Sequence, residues 1–276
     1  MPERPREQGE RVHKYLAARG WGSRRQVERW IADGEVRVNG QPVSPGDRVR
    51  SGDRVTMGRR RLVVRLEADA PRRILAYHKP EGEVVSRSDP QGRPTVFARL
   101  PPLRQGRWVA VGRLDINTSG LLLLTNDGEL ANGLMHPSRQ VEREYAVRAL
   151  GEVTPEALER LVQGVELDDG PGRFEHIVAS GGTGANRWYH VVITEGRKRE
   201  VRRLWEAVGV RVSRLIRVRY GPILLPPRLV QGRWRELGPD QDAALLDLAG
   251  LKQRDVSAPP VRRRPRRTAR PRGPSR

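Results

Sequence analysis

The sequence predicts an α+β protein: a small α/β domain, followed by a larger domain with a mixed, mainly antiparallel sheet flanked by helices. In the first part, two short helical patterns precede a hairpin pattern. In the second part, short strands alternate with helices, and tight turns join strands too often for a regular parallel βαβ array. The predicted segments are a flexible N-terminus (1–9), the small domain (10–57), a last strand and linker (58–73), the larger domain (74–250) and a disordered Arg/Pro-rich tail (251–276).

The elements of the small domain follow from spacing and turn residues. Apolar residues at i, i+3 and i+4 predict a first helix that begins near Val12 and ends at Gly20. Ser23 is expected to cap a second helix, and Gln26 three residues later completes a capping box. The Asn-Gly pair at 39–40 then favours a tight hairpin.

In the larger domain, seven apolar stretches are typical of strands and four capped or periodic stretches are typical of helices. The predicted strands are 74–79, 107–112, 119–124, 143–149, 173–179, 187–194 and 210–219, and the predicted helices are near 128–135, 154–163, 198–208 and 240–249.

Charge indicates the class of partner. The chain has 276 residues, with 53 Lys or Arg against 33 Asp or Glu and a formal net charge of +20. A surface this basic favours a polyanion such as nucleic acid or an anionic membrane. The last nineteen residues hold eight arginines and no acid, so they predict a disordered arm that binds phosphates without choosing a sequence.

Composition also excludes several classes of site. The chain has no cysteine, which excludes disulfides, thiolate metal sites and cysteine nucleophiles. The five histidines are scattered, so we expect no bound metal. No apolar core of a signal peptide follows the start, and the longest purely apolar run is only Leu121–Leu124. We therefore expect a soluble, cytoplasmic protein, and a monomer.

The densest motif is VGRLDINTSGLLLLTNDGEL at 111–130. If residues 113–115 continue a strand, Arg113 and Asp115 share one face. A carboxylate beside an arginine at the edge of a buried strand is a weak catalytic signal. An Asx turn or an ordinary ion pair at Asp115 is the structural alternative.

Several motifs resemble known families. The helices, basic turn and VRVNG hairpin of residues 10–57 are similar to the S4 RNA-binding domain. GRLDINTSGLLLLTNDG resembles the signature of the RsuA-type pseudouridine synthases, and four further blocks occur in the order of that family. These blocks are AYHKPEGEVVSRSD, HPSRQVEREYAV, EGRKREVRRLWE and SRLIRVRYGPILL. The stretches LDDGPGRFEHI and GGTGANRWYHV favour the B-type branch, whose members modify large-subunit (23S) ribosomal RNA.

The resemblance implies a site-specific isomerase that converts uridine to pseudouridine in ribosomal RNA after flipping the base. It implies that Asp115 is the essential carboxylate, acting either at C1′ or on a ribose proton. Tyr145 would stack on the base, Arg202 would keep Asp115 ionised, and Leu215 would pack beneath the base. The residues expected to bind RNA are Arg11, Lys14, Ser23, Arg24, Arg25 and Asn39 in the small domain, and Arg113, Arg197, Lys198 and Arg199 in the larger one.

No cofactor is expected, because the reaction rearranges bonds without oxidation or group transfer. The main alternative is a non-catalytic RNA-binding factor for ribosome assembly, which would tolerate the loss of Asp115.

Overall fold

A computed structural model describes residues 9–66, 71–104, 106–183 and 186–251. Nearly all of the predicted N-terminal segment and Arg/Pro-rich tail lie outside the described residues. The helices are α1 Val12–Ala18, α2 Arg24–Ala32, α3 Gly128–Met135, α4 Pro155–Gln163, α5 Glu200–Ala207 and α6 Pro239–Ala249, with 3-10 turns at Val96–Arg99 and Pro137–Arg139. The strands are β1 Glu10–Arg11, β2 Val36–Val38, β3 Gln41–Pro42, β4 Arg48–Val49, β5 Arg54–Met57, β6 Arg60–Val63, β7 Ile74–Lys79, β8 Val109–Ala110, β9 Ser119–Thr125, β10 Arg143–Leu150, β11 Val165–Leu167, β12 Gly170–Gly172, β13 His176–Thr183, β14 Asn186–Ile193, β15 Arg211–Tyr220, β16 Ile223–Leu224 and β17 Trp234–Glu236.

The small domain packs α1 and α2 against a four-stranded sheet of order β3-β2-β5-β6. The predicted capping box is confirmed: the Ser23 hydroxyl accepts from the Gln26 backbone N–H at 3.2 Å. The core of this domain extends to Val64, which is fully buried, and Tyr15 accepts a hydrogen bond from the backbone of Arg65 at 3.0 Å. The strand that follows residue 57 is therefore part of the same small core.

The larger domain contains a nine-stranded sheet that confirms the predicted mixed, mainly antiparallel class. Its order is β13-β14-β10-β15-β9-β7-β17, with β16 beside β15 and β8 beside β9. Every pairing described in this sheet is antiparallel except β9 with β15, which is parallel. That parallel contact is short, since it pairs Ser119 with Ile216 and Gly120 with Arg217.

Glycine is required at position 120 of this contact. Gly120 has a φ of +108°, and a Cβ atom there would lie 2.3 Å from the carbonyl oxygen of Arg217. A residue with a side chain would therefore push β9 and β15 apart.

Helices cover both faces of the sheet. On one face, Leu161 of α4 and Trp205 of α5 belong to a core that also contains Tyr145 and Leu215. On the other face, leucines of α3 and α6 pack against the alternate residues of β7 and β9. No helix in the described ranges is long and apolar enough to cross a membrane.

Three predicted elements differ from those observed. The strand expected at 107–112 is reduced to β8, and residues 112–118 form a loop. Helix α5 starts two residues later than expected, because Arg199 adopts a left-handed φ of +53°. The strand expected at 173–179 is observed as β13, which starts at His176.

Candidate active site

The loop at 112–118 presents Asp115 at the end of β9. Leu114 is buried at 6% exposure and anchors the loop in the core, whereas Asp115 is half-buried. The backbone N–H of Thr118 donates to the carbonyl of Asp115 at 3.1 Å, which closes a turn. Residues 112–118 do not form a strand. The prediction that Arg113 and Asp115 share one face of a strand is therefore wrong.

Three consecutive carbonyls after Asp115 each accept a hydrogen bond from a different donor. The backbone of the loop is therefore fixed from three directions, which limits where the carboxylate can lie. The carbonyl of Ile116 accepts from the backbone N–H of Gly82, that of Asn117 from the guanidinium of Arg202 and that of Thr118 from the ammonium of Lys79, each at 2.8 Å.

Lys79 is a fully buried cation beneath this loop. Its Nζ also donates to the carbonyl of Pro80 at 2.9 Å. Burial lowers the pKa of Lys79 to about 8, and the negative charges of Glu83, Glu81 and Asp115 oppose that shift. At neutral pH Lys79 is thus a buried positive charge that feels the charge of Asp115.

Arg202 is placed differently from expectation. It is buried at 6% exposure, and its two terminal nitrogens donate to the carbonyls of Val212 and Asn117, each at 2.8 Å. Among the described atoms it forms no salt bridge with Asp115 at 4.0 Å or less, so the expected direct pair is not formed. Burial lowers the pKa of Arg202, the charge of Arg199 lowers it further, and Asp115 raises it. Arg202 therefore holds the loop by hydrogen bonds and acts on the carboxylate only through the longer-range field.

A cavity of about 920 Å³ opens above the loop. It brings together residues that are far apart in the chain, and its lining contains both apolar side chains and arginines. The predicted site residues that line it are Asp115, Tyr145, Leu215, Arg113, Arg197, Lys198 and Arg199.

The apolar wall is suited to a flat ring. Tyr145 lies on β10 at 8% exposure, and Leu215 lies on β15 at 4% exposure. The register places Tyr145 opposite Arg217 of β15. A planar base inside the cavity would contact an aromatic ring and an aliphatic side chain while remaining near the carboxylate.

Arg217 is the least exposed arginine of the cavity wall. It is 2% exposed, its Nε donates to the carbonyl of Leu121 at 2.7 Å, and its guanidinium lies 5.2 Å from the ring centre of Tyr220. One of its terminal nitrogens has no hydrogen-bond partner among the described atoms. Arg217 is thus a buried positive charge in the wall of the cavity.

Comparisons with known proteins identify the family to which this chain belongs. The pattern of the RNA pseudouridylate synthase family matches residues 73–207, and that of the S4 domain matches residues 10–55. A ribosomal large subunit pseudouridine synthase B of Yersinia pestis is 54% identical over 261 residues, covering 94% of this chain and 82% of that protein. The chain belongs to the RNA pseudouridylate synthase family.

Further relatives agree with this membership. The chain is 57% identical to the ribosomal large subunit pseudouridine synthase B of Escherichia coli strain K12, over 88% of this chain and 84% of that one. The Pseudomonas aeruginosa relative is 57% identical over 88% of this chain, which spans 64% of that longer protein. A crystal structure of a pseudouridylate synthase aligns with a TM-score of 0.60 and 26% identity, covering 86% of this chain and 99% of that one.

In the larger domain of the synthase, the predicted RNA contacts fall into two groups. Arg113 and Lys198 are exposed at the cavity, where a phosphate can reach them. Arg197 is instead engaged with Asp169 and Glu200 and with the carbonyls of Gly170 and Pro171. Arg197 thus helps to hold this surface together; it also lines the cavity, and its contact with phosphates stays a prediction. Arg199 lies 3.6 Å from Glu206 and is half-buried.

In the small domain, too, some of the predicted RNA contacts bond protein groups and others are exposed. Ser23 uses its hydroxyl to cap α2, and Asn39 bonds Asp53 and the backbone of Arg54, so both have structural roles. Lys14 forms salt bridges with Glu10 and Glu129. Arg11, Arg24 and Arg25 are exposed and remain candidates for RNA contacts.

Sequence reasoning missed Lys79 and Arg217. Lys79 ends an apolar strand, which gives no sign that its ammonium bonds carbonyls more than thirty residues away. For Arg217 a signal existed: it is two residues after Leu215 on the same strand, so the two share a face.

Proposed function

We propose that this synthase isomerises a specific uridine of large-subunit ribosomal RNA, with Asp115 as the essential carboxylate. The observation that carries the proposal is the half-buried Asp115 at a cavity lined by Tyr145, Leu215 and arginines. The printed names of the relatives, ribosomal large subunit pseudouridine synthase B, support the choice of RNA. With ribosomal RNA as its substrate, we expect the enzyme to act in the cytoplasm, as a monomer.

The reaction divides among the residues of the cavity. The C1′–N1 bond breaks, the uracil turns, a C1′–C5 bond forms, N1 takes up a proton and the C5 hydrogen leaves as a proton. Asp115 starts this sequence, either by attack at C1′ or by removing a ribose proton. Both routes need an ionised carboxylate at a fixed position. The hydrogen bonds to the carbonyls of residues 116–118 fix the backbone of the loop and therefore the position of this carboxylate.

The remaining residues bind and orient the nucleotide. Tyr145 and Leu215, which lie on neighbouring strands in one wall of the cavity, contact the flipped uracil and hold it while it turns. Arg113, exposed at the mouth, occupies the position left by the extruded base. No bond is oxidised and no group is transferred, so the reaction requires no cofactor.

The test is Asp115→Asn assayed with ribosomal RNA that carries tritium at uridine C5. Wild type should release tritium to water, and the product should contain one new pseudouridine in the large-subunit RNA. Asp115→Asn should fold and bind RNA with a Kd within about twofold of wild type, because cations supply the affinity, yet release no detectable tritium.

Asp168→Asn is a matched control, because it removes a carboxylate from an exposed turn of the same domain outside the cavity. Substantial release by Asp115→Asn would refute the assignment of the carboxylate. No release by the wild type from any form of ribosomal RNA would favour a non-catalytic assembly factor.

A further inference from the structure

Glu83 is a buried carboxylate for which the reaction described above has no use. Its residue is 3% exposed, and it does not belong to the lining of the active-site cavity. Burying a carboxylate is unfavourable unless hydrogen bonds and opposite charges compensate for the lost hydration. The groups around Glu83 therefore explain what this acid does.

Two side chains hold the carboxylate of Glu83. The hydroxyl of Tyr77, a fully buried residue of β7, donates to one of its oxygens at 2.6 Å. The Nε atom of Arg99, in the 3-10 turn Val96–Arg99, lies 3.0 Å from the other oxygen. The same turn contains Phe97, which lines the active-site cavity. The carboxylate thus connects β7 with an element of the cavity wall.

Glu83 also ends a short segment, residues 79–83, that bonds the loop of Asp115. Lys79 at the start of the segment and the backbone N–H of Gly82 near its end each donate to a carbonyl of that loop at 2.8 Å. The position of the segment therefore determines the position of the loop. Glu83 fixes the end of the segment next to Gly82, because its carboxylate is held on both oxygens.

The charge of Glu83 complements that of Lys79. Tyr77 and Lys79 are two residues apart on β7 and share one face of the sheet, and Glu83 lies on that face because it bonds Tyr77. In the described part of the chain, Lys79 has no carboxylate within 4.0 Å, so it depends on charges at longer range. Burial lowers the pKa of Lys79 to about 8, and Glu83 opposes this shift more than Glu81 and Asp115 do.

We infer that Glu83 is a positioning residue of the reaction: it fixes the segment 79–83, and through this segment the loop that presents Asp115 to the nucleotide. This inference rests on the proposed function and adds to it a residue outside the cavity. Because Glu83 is buried away from the surface that binds RNA, it affects the rate of the chemical step and not the affinity for RNA.

The experiment compares wild type with Glu83→Gln on ribosomal RNA that carries tritium at uridine C5. Glutamine keeps the volume and can still accept from Tyr77, but it loses the negative charge and places an amide NH2 where it cannot pair with Arg99. We expect kcat to fall about tenfold to 100-fold, because a misplacement of about 1 Å can reduce a rate about 100-fold. KM and the Kd for RNA should change by less than about twofold.

The pH dependence of kcat distinguishes the charge of Glu83 from its packing. In wild type, kcat should fall on the alkaline side as Lys79 loses its proton. Without the charge of Glu83, Lys79 loses its proton more readily, so this fall should move to lower pH by about 0.5–1 unit. Glu83→Asp keeps the charge and should show the fall at the wild-type pH. The other charges near Lys79 are the same in all three proteins: Glu81, Asp115, and Arg202 of α5, which bonds the same loop.

Glu236→Gln is a matched control. It removes a carboxylate that bonds Arg73 at 2.7 and 2.8 Å on the strand next to β7, and it does not contact the segment 79–83. Its kcat and pH dependence should stay within about twofold of wild type and at the wild-type pH. Urea unfolding of every variant confirms that the assays compare folded proteins. If Glu83→Gln does not fold, Tyr77→Phe removes only the hydroxyl that holds Glu83, and its kcat should fall with KM unchanged.

Three results would overturn the inference. Folded Glu83→Gln could keep kcat within about twofold of wild type, or it could raise KM and Kd instead. It could also lose kcat only to the extent that Glu236→Gln does. An alkaline fall that stays at the wild-type pH in Glu83→Gln would likewise contradict the role of its charge. If wild type itself releases no tritium from any ribosomal RNA, the proposed function fails instead, so the two failures are distinguishable.

Discussion

Replacing Arg202 by methionine tests how the loop of Asp115 is held. Methionine keeps most of the aliphatic stem but removes two hydrogen bonds of 2.8 Å from a charged donor to the carbonyls of Val212 and Asn117. Each such bond contributes about 1.5–3 kcal/mol, so the gross loss is about 3–6 kcal/mol. Removing a buried guanidinium also recovers part of its desolvation cost. We expect a net loss of about 2–3 kcal/mol in the free energy of unfolding.

The effect on activity follows from the position of the loop. Loss of the bond to Asn117 frees the backbone two residues after Asp115, and a misplacement of about 1 Å can reduce a rate about 100-fold. Urea unfolding, kcat and the pH dependence of kcat should be measured for the wild type, Arg202→Met and Arg202→Lys. Lysine keeps the charge but cannot reach both carbonyls, so we expect it to restore little of kcat.

The opposite pattern would refute this reasoning. If Arg202→Met unfolds at the wild-type urea concentration, the two hydrogen bonds do not support the fold. If in addition the active pH range moves upward and Arg202→Lys restores it, Arg202 acts by keeping Asp115 ionised, as the sequence suggested.

Three other predictions concern the scaffold and the tail. Gly120→Ala should destabilise the protein by about 3 kcal/mol or more in urea unfolding, because its Cβ atom overlaps the Arg217 carbonyl at a positive φ; a loss below about 1 kcal/mol would contradict the close approach of β9 and β15. Burial raises the pKa of Asp242 to about 6, so its carboxyl favours folding less as pH rises from about 4 to 6. Asp242→Asn should therefore raise the free energy of unfolding at pH 7 by about 1–2 kcal/mol and have little effect at pH 4, and an equal effect at both pH values would exclude titration as the cause. Deleting residues 258–276 removes eight arginines and should weaken RNA binding and its salt dependence, whereas a shift of the modified uridine would show that the tail selects the site.

The limits of some helices and strands were predictable, because neighbouring residues in the sequence determine them. Helix α3 was expected at 128–135 and is observed there, since Asp127 caps it through the backbone N–H groups of Glu129 and Leu130. Strand β7 was also expected with its observed limits, 74–79. The parallel contact of β9 with β15 was not predictable, because it joins residues almost one hundred positions apart and depends on a glycine that resembles an ordinary turn residue.

Side-chain roles at the site were predictable only in part. Asp115, Tyr145 and Leu215 do meet in one cavity, as their motifs implied. Arg202 was expected to pair with Asp115 and Arg197 to bind RNA, yet Arg202 bonds the carbonyls of Val212 and Asn117, and Arg197 bonds Asp169 and Glu200. A sequence shows that an arginine is present, but not which distant carbonyl or carboxylate its guanidinium reaches.

Backbone pairing between β9 and β15 is limited to two register positions, so the two parts of the large sheet that carry the site are joined mainly by side chains. Tyr145 and Leu215 lie on the part that contains β10 and β15, whereas the loop of Asp115 leads directly into β9. Two buried arginines connect these parts: Arg202 bonds Asn117 of the loop and Val212 of β15, and Arg217 of β15 bonds Leu121 of β9. The position of the carboxylate relative to the aromatic ring therefore depends on two guanidinium groups that bond backbone carbonyls on both sides of a short strand contact.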